Sequence, residues 1–331
     1  MKGVAQRLSS LELCAGAGGM ALGLERAGFD PVALVDNRNI ACTTLRANRP
    51  RWRVVERDLS LIDPQKDLPS TDVLDLLSAG LPRVRSAATA SRTRGDNFEL
   101  ELLETTGRWV WELRPRAVLL ENVPDLVSRD EYAESRSYVE KYLDAAGYEF
   151  NWRVIDACNF GVPQRRDLGI LVAFRDGGLN EFNAALDAVL PTPNLTVGAV
   201  LRTSMAIRGW SQAAEWAAYA DRLAPTIVGG SWDRGGADLG PAGSQRAWAK
   251  LGVEGKSLSD SPPGMDFQWD PDLPDGRVRL TVDQIAELQA FPSHWEVCGL
   301  KTARYRQIGN ATPPPAAEAL GRAVRAGLGC S

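Results

Sequence analysis

The sequence contains a single histidine, His294, and only five cysteines, which are scattered along its 331 residues. No two cysteines form a C-x-x-C pair, so the ligand spacing of a structural zinc site is missing. A nucleophilic Cys–His pair is disfavoured as well, because only one imidazole is available. We therefore expect no metal site, and we expect chemistry that does not require a metal ion.

Long apolar runs and an excess of basic residues are also missing. The sequence has no run of about 18 apolar residues, so a membrane-spanning helix is not predicted. Its first residues, MKGVAQR, lead into an apolar strand without the features of a signal peptide. The net charge is −4 and the pI is about 5.3, unlike many nucleic-acid-binding domains. We expect a cytoplasmic protein. Its arginine clusters are either solvated surface or local contacts to a nucleic acid.

Strand and helix patterns alternate from the N-terminus to the segment RDLGILVAF. Earlier predicted strands are LSSLEL, PVALVD, RVVERD, VLDLLSAG, RAVLLENV and YEFNWRVIDA. Such alternation predicts an α/β fold with a doubly wound, parallel sheet. From about Thr192 onwards Pro, Gly, Ser and Trp become frequent, which predicts a loop-rich second domain. A last helix, starting in PPPAAEALGRAVRAG, is expected to pack on the first domain.

Glycine and acidic residues follow three successive predicted strands. The first strand leads into the turn AGAGG (15–19), from which helix N–H groups can point at a ligand. Asp36 ends the second strand and Asp58 the third, where carboxylates can accept from a ribose diol and an adenine amino group. Together these features predict an adenosine-type cofactor site at the carboxyl edge of the sheet. The turn alone is equally typical of a tight strand–helix connection.

Later segments carry further polar residues. Glu121 ends the strand LLENV, where burial would raise its pKa and let it share a proton with a bound ring nitrogen. A strand-end acid with a structural role is the alternative. FGVPQRRD supplies Arg165 and Arg166 as donors to a base carbonyl or a phosphate. RQIGNATPPP predicts a rigid turn near the C-terminus.

Taken in order, LELCAGAGGMALGLERAGF, LLENVP, NFGVPQRR, LTVDQIAELQAFP and RQIGNATPPP resemble the motifs of the DNA cytosine-5 methyltransferase family. The resemblance covers nearly the whole chain. It implies a Rossmann-like, S-adenosylmethionine-dependent methyltransferase sheet with a small target-recognition domain. The methyltransferase domain is expected at residues 1–190 and 305–331, and the target-recognition domain at residues 191–304. The implied partner is double-stranded DNA, bound by a monomer, with a restriction enzyme or a second methyltransferase as a possible protein partner.

The resemblance also implies individual roles. Asp36 would bind the ribose hydroxyls of S-adenosyl-L-methionine, Asp58 and Leu59 would address adenine, and Asn310 would help to close the pocket. The full predicted cofactor set is Leu13, Cys14, Ala15, Gly16, Ala17, Gly18, Gly19, Met20, Asp36, Asn37, Asp58, Leu59, Leu102, Asn310 and Ala311. Glu121 and Asn122 match the family's Glu-Asn-Val, whose glutamate holds a cytosine flipped out of the duplex.

The nucleophile loop departs from the family. Where the family has Gly-x-Pro-Cys-Gln this chain has GLPRV, so Arg83 replaces the cysteine and Val84 the glutamine. The family's thiolate adds to C6 and makes C5 reactive, whereas an arginine stays protonated and cannot add. Losing ~10⁶ in rate corresponds to about 8 kcal/mol. Leu168 likewise replaces the second arginine of the family's Q-x-R-x-R, which removes a donor to the base carbonyl.

Three interpretations stay open. Cys158, six residues before Gln164, is a candidate for a relocated nucleophile, although a small buried cysteine is the simpler alternative. In the second interpretation, the chain binds cofactor and DNA without catalysis. In the third, it methylates an acceptor other than cytosine C5. The predicted catalytic set is Glu121, Asn122, Arg166 and Cys158, and the predicted DNA contacts are Arg83, Arg85, Arg92, Arg94 and Arg165. Segment 222–252 would read base edges, unless its arginines, glycines and tryptophans only form core and turns.

Overall fold

A computed structural model describes residues 7–69, 73–84, 98–189, 195–230, 232 and 236–330. Three predicted DNA contacts, Arg85, Arg92 and Arg94, lie outside these residues. The chain divides into two compact units. The first comprises Met1–Ile155, Asp167–Val189 and Ala317–Ser331, and the second Asp156–Arg166 and Leu190–Ala316. The expected division at 190 and 305 stays a prediction, because it concerns which residues bind cofactor and which recognise the target.

A seven-stranded sheet forms the centre of the first unit. Its strands are β1 (Leu8–Leu13), β2 (Phe29–Asp36), β3 (Val54–Glu56), β4 (Leu76–Gly80), β5 (Ala117–Asn122), β6 (Glu149–Asp156) and β7 (Asp167–Phe174). Their order in the sheet is β3-β2-β1-β4-β5-β7-β6. The central strands β4 and β5 are almost fully buried, which explains their short runs of Leu, Val and Ala. The α/β fold class predicted from the alternating patterns is confirmed.

Among the described residues, α-helices follow β1, β2, β4 and β5, whereas a 3₁₀ turn follows β3. The helices of the described residues are α1 (Gly19–Arg26), α2 (Asn39–Asn48), α3 (Phe98–Leu113), α4 (Pro124–Ser128), α5 (Ala133–Ala146), α6 (Leu179–Asp187), α7 (Val197–Ala206), α8 (Ala213–Tyr219), α9 (Ala242–Ala249), α10 (Val282–Leu288), α11 (Lys301–Asn310) and α12 (Pro314–Gly327). Short 3₁₀ turns cover Leu59–Leu61, Asp130–Tyr132, Ala157–Phe160 and Pro274–Gly276. Among the described helices, none is long and apolar enough to cross a membrane.

The prediction of a wholly parallel sheet is wrong for β7. β1, β2, β3, β4 and β5 pair in parallel, but β7 runs antiparallel to β5, with Ala117 opposite Phe174 and Asn122 opposite Gly169. The short connection between β6 and β7 explains this direction. A parallel neighbour needs a crossover of a dozen or more residues, usually helical. Only residues 157–166, which contain a 3₁₀ turn, separate β6 from β7.

The first unit closes around the end of the chain. The Arg325 guanidinium donates to the carbonyl oxygen of Gly28 at 3.3 Å, and Arg116 donates to that of Leu328 at 3.1 Å. The backbones of Gly178 and Gly327 approach so closely that a Cβ on Gly178 would lie 2.1 Å from the Gly327 oxygen. The end of α12 therefore packs within the first unit, as the sequence predicts.

The second unit contains α7–α11 and long connecting loops. α10 begins with a capping box, in which the Thr281 hydroxyl accepts from the Gln284 backbone and the Gln284 side chain accepts from the Thr281 backbone. These reciprocal bonds satisfy two backbone N–H groups at the start of the helix.

Candidate functional site

The turn after β1 adopts left-handed backbone at three residues. Cys14 has φ 55°, Gly16 has φ 53° and Gly18 has φ 80°. Glycine takes this conformation without steric cost, whereas a residue with a side chain is held in it at about 1–3 kcal/mol. The Gly18 N–H donates to the carbonyl oxygen of Ala15 at 2.9 Å, which closes the turn. Gly19 then begins α1, so the helix N-terminus opens directly onto the turn.

Asp36, at the end of β2, is bonded to this turn. One carboxylate oxygen accepts from the Gly16 N–H at 2.8 Å, and the other accepts from the Arg38 N–H at 2.8 Å. The carboxyl is half-buried, and its burial raises the pKa of Asp36 although both N–H bonds oppose the shift. Each oxygen keeps a second lone pair, so the carboxylate can accept from a diol as well.

The third strand end is linked to the second. The Asn37 amide donates to Asp58 at 3.3 Å, and Asp58 accepts from both the hydroxyl and the N–H of Ser60. These bonds from Ser60 hold the pKa of Asp58 below its usual range. Leu59 and Leu102 are buried in the same apolar cluster, to which Leu13 also belongs. Hydrogen bonds thus join the turn to Asp36 and Asn37 to Asp58, whereas Leu13, Leu59 and Leu102 share one large apolar cluster.

Glu12 is a residue of this region that the sequence reasoning missed. It lies on β1 with 2 % of its surface exposed, and it accepts a hydrogen bond from the Ala21 N–H of α1. Its Oε2 atom is buried without a hydrogen-bond partner. Burial, aided by the charge of Asp36, raises the pKa of Glu12 to about 8. A charged residue between Leu11 and Leu13 at the buried end of the strand was the signal available.

Two thiols of the first unit, Cys14 and Cys42, are poor nucleophiles. Loss of solvation, together with the negative charges of Asp36, Asp58 and Glu12, raises the pKa of Cys14 far above its ordinary value. Burial raises the pKa of Cys42 to about 12. Because the thiolate is the attacking species, neither thiol is activated at neutral pH.

The loop after β4 is fastened to β5 by Asn122. The Asn122 Oδ1 atom accepts from the N–H of Val84 at 3.1 Å, and its Nδ2 atom donates to the carbonyl oxygens of Pro82 at 3.1 Å and Leu81 at 3.4 Å. Leu81 and Val84 are buried, whereas Arg83 between them is exposed. The backbone at position 83 is therefore held in place whatever side chain it carries. Glu121, half-buried beside Asn122, ends the same strand.

The two arginines of FGVPQRRD, both in the second unit, have opposite environments. Arg166 is 3 % exposed and donates from NH1 to the carbonyl oxygens of Ile227 at 2.7 Å and Gly309 at 3.0 Å. The Arg165 side chain is exposed, which suits a phosphate contact. Leu168, where the family has its second arginine, is buried in β7 with 1 % exposed. A catalytic role for Arg166 stays a prediction.

Cys158 lies in the 3₁₀ turn between β6 and β7. Its N–H is bonded to the Asp156 carboxylate at 3.1 Å, and its partly exposed thiol lies 3.8 Å from the Asn159 side-chain oxygen. The neighbouring Ala157 N–H donates to the Arg166 carbonyl at 2.9 Å, so this turn is tied to the arginine segment.

Asn310 and Ala311 are at the end of α11 in the second unit. Asn310 is exposed, and its amide donates to the carbonyl oxygen of Gly230 at 3.2 Å. Whether these two residues reach a cofactor stays a prediction. Within the described ranges, no group of three or more His, Cys, Asp or Glu side chains could hold a metal ion.

Comparisons with known proteins agree with this arrangement. The profile of the family described as "C-5 cytosine-specific DNA methylase" matches residues 8–223 and 247–326. The type II methyltransferase M.NaeI of Lentzea aerocolonigenes is 40% identical over 98% of this chain and 76% of its own length. The type II methyltransferase M.NgoMIV of Neisseria gonorrhoeae is 35% identical over 96% of this chain and 97% of its own length.

Solved structures show the same fold at lower identity. The S. pombe Dnmt2 methyltransferase superimposes with a TM-score of 0.63 at 16% identity, covering 96% of this chain and 97% of that one. The Entamoeba histolytica methyltransferase EhMeth gives a TM-score of 0.63 at 13% identity, with 97% and 98% covered.

Proposed function

Because the chain belongs to the C-5 cytosine-specific DNA methylase family, we propose that it binds S-adenosyl-L-methionine and duplex DNA but does not methylate cytosine through position 83. Its relatives M.NaeI and M.NgoMIV are named type II methyltransferases. A restriction-modification setting, with a restriction enzyme or an active methyltransferase as partner, is therefore part of the proposal.

The cofactor side is supported by the chemistry of the residues present. The turn offers the N-terminus of α1, Asp36 offers a carboxylate at a strand end, and Leu59 and Leu102 offer apolar surface. This set fits an adenosyl group with a ribose diol and an apolar base. S-adenosyl-L-methionine would supply the methyl group in this family.

One observation carries the negative part of the proposal. Asn122 holds the backbone on either side of Arg83, so the position at which the resemblance implies a nucleophile is fixed and carries an arginine. An arginine cannot add to C6, and the raised pKa values of Cys14 and Cys42 keep those thiols protonated. The exposed Arg83 guanidinium can instead contact phosphate, as can exposed Arg165.

A relocated nucleophile is the second candidate. Cys158 is partly exposed, and its turn is bonded to the backbone of Arg166. The resemblance implies that Arg166 and Glu121 face the flipped base. If Cys158 adds to C6, methyl transfer survives the loss of cysteine at position 83.

One assay distinguishes a non-catalytic DNA-binding protein from a methyltransferase with a relocated nucleophile. Tritium transfer from labelled S-adenosylmethionine is measured on mixed-sequence duplex DNA, next to a mobility shift at rising salt. We expect salt-sensitive DNA binding without transfer. Transfer that is lost in Cys158→Ser and kept in Cys298→Ser would establish the relocated nucleophile instead. Absence of both binding and transfer would favour an acceptor other than DNA.

A further inference from the structure

Apolar side chains form an exposed strip on the second unit. One loop contributes Met265, Phe267 and Trp269, while Ile207 follows α7 and Tyr219 ends α8; together they are here called the apolar strip. Met265 is 71 % exposed, Ile207 74 % and Tyr219 44 %, whereas the two remaining members are half-buried. Single exposed apolar residues are ordinary on a protein surface, but several that lie together mark a contact site.

Packing holds the first half of the strip in place. A Cβ on Gly209 would lie 3.0 Å from the Cγ atom of Met265, so the loop runs directly beside the residues that follow α7. The Trp210 indole donates to the carbonyl oxygen of Phe267 at 3.0 Å, and the two rings meet edge to face with centroids 5.5 Å apart. Ile207 lies in the turn that the Gly209 N–H closes with a 2.9 Å hydrogen bond.

The second half of the strip is held by α8. The Gln212 side chain, just before this helix, accepts from the Trp269 N–H at 3.0 Å. The Trp269 ring meets that of Tyr219 at a centroid distance of 5.2 Å and an angle of 75°. Such edge-to-face pairs are favourable beyond the area they bury. The strip is therefore a surface of defined shape whose aromatic residues stay partly accessible.

Negative charge borders the strip. Residues 260–276 contain five aspartates and no lysine, arginine or histidine. Asp266, Asp270 and Asp272 alternate with the apolar residues of the loop. On α8 the exposed Glu215 lies one turn before the tyrosine of the strip and so shares its face of the helix. Among the described residues these four acids form no ion pair, so the chain itself does not neutralise them.

The charge around the strip decides what can cover it. DNA and anionic lipid surfaces are repelled by carboxylates that are not neutralised. A second copy bound through the same surface would place like charges opposite each other, because identical patches meet in a two-fold contact. A protein segment with lysine or arginine beside apolar side chains matches both features of the strip. Its cations can also stack on the rings of Tyr219 and Trp269.

We propose that the apolar strip is the docking surface for a partner protein whose docking segment is basic and apolar. Leucine-like side chains of that segment cover Met265 and Ile207, and its cations face Asp266, Asp272 and Glu215. The inference goes beyond the proposed function and does not depend on cofactor binding or on the chemistry at position 83.

Model peptides test this chemistry on the full chain. The probe is a fluorescein-labelled peptide of about 16 residues with a repeating Lys-Leu-Leu-Lys sequence, which can dock as an amphipathic helix. Two matched peptides carry Glu in place of Lys, or Ser in place of Leu. We expect the Lys-Leu peptide to bind at least about tenfold more tightly than either in fluorescence anisotropy, because charge and apolar contact both contribute. Its affinity should fall as the salt concentration rises.

Apolar variants locate the binding on the surface. Met265→Ser should weaken binding of the Lys-Leu peptide about fivefold or more, because it removes an anchor from the strip. Leu300→Ser is the control, since Leu300 is 86 % exposed in the same unit and is not part of the strip. It should leave the affinity unchanged.

Charge variants separate the charge of the strip from that of the whole chain. Asp266→Lys combined with Asp272→Lys should abolish binding of the Lys-Leu peptide. Glu149→Lys combined with Glu181→Lys changes the net charge by the same amount at exposed positions of the first unit, and this variant should still bind.

Three results would overturn the inference. Equal affinity for the three peptides, or unchanged affinity in Met265→Ser and in the variant with lysine at both aspartates, would show that the strip does not select a basic, apolar segment. Weaker duplex binding in Met265→Ser would assign the strip to DNA instead. A dimer in light scattering that Met265→Ser dissociates would assign it to a second copy.

Discussion

The side-chain amide of Asn122 donates to the carbonyl oxygen of Pro82, 3.1 Å away, and so fixes the backbone immediately before Arg83. The same side chain accepts from Val84, immediately after Arg83. The loop geometry is therefore set by β5 and not by the residue at position 83. The backbone shape of this loop depends on Asn122, whereas its reactivity depends on the residue at position 83. Each can therefore be tested by its own substitution.

Removing the Asn122 side chain should release the loop. Asn122→Ala leaves the buried Val84 N–H and the Leu81 carbonyl unpaired, which should lower the free energy of unfolding by about 1–3 kcal/mol. Urea denaturation measures the change. Asn39→Ala, which removes an exposed bond to Glu56, is the control and should change stability by less than about 0.5 kcal/mol. Equal effects of the two variants would contradict the assignment.

Restoring a thiol at position 83 should restore chemistry in part. Since Asn122 holds the loop in either case, Arg83→Cys presents a thiol where the family has its nucleophile. We expect tritium transfer to duplex DNA at least about tenfold above that of Arg83→Ser, a gain of about 1.4 kcal/mol in transition-state stabilisation. The two variants have side chains of similar size, so a difference reports on the sulfur. If neither transfers methyl groups, the missing cysteine at position 83 is not the main block.

Asp36 should dominate binding of the ribose. Asp36→Asn keeps the shape but removes the charge, and we expect the affinity for S-adenosylmethionine to fall about tenfold or more in isothermal titration calorimetry. Asp30→Asn is the control on the same strand, because Asp30 is exposed and pairs with Arg7 at the other end of β2. Unchanged affinity in Asp36→Asn would show that the ribose is held elsewhere.

Glu12 should make stability depend on pH. Its pKa is about 8 in the folded protein and lies near the ordinary 4.5 when unfolded, so the folded state holds the proton more tightly. The resulting stabilisation is complete below about pH 4.5 and is lost as the pH rises to about 8, at up to about 1.4 kcal/mol per unit.

Urea denaturation at several pH values tests this directly. Relative to the wild type, Glu12→Gln should become progressively more stable between pH 5 and pH 8, because glutamine never ionises. Glu149→Gln, at the exposed start of β6, should show a constant difference over the same range. A constant difference for Glu12→Gln as well would mean that Glu12 is already ionised at pH 5.

The sequence pattern places Asp36 correctly at the end of β2, because an acid that closes an apolar run lands at the carboxyl edge of a parallel sheet. Asp58 was expected to end the third strand, but β3 ends at Glu56 and Asp58 caps the following 3₁₀ turn. Sequence patterns do not predict the direction of β7, since the period-2 pattern of a strand is the same for parallel and antiparallel pairing. Sequence patterns do not predict the hydrogen bond between Gln164 and Gln289 either, because the two residues are 125 positions apart and neither lies in a local motif that indicates the contact. Glu12 was detectable as a charge in an apolar strand, but its protonation depends on burial.

The closure of the first unit has a consequence for biosynthesis. Arg325 and Gly28, whose bond helps to complete that unit, are separated by 297 positions along the chain. Until α12 has been synthesised and has docked, the surface around Gly28 and Phe174 lacks its cover, although all seven strands of the sheet have already been made. Pairings over such distances form slowly, and the nascent chain must pass through a stage in which apolar side chains face solvent or a chaperone.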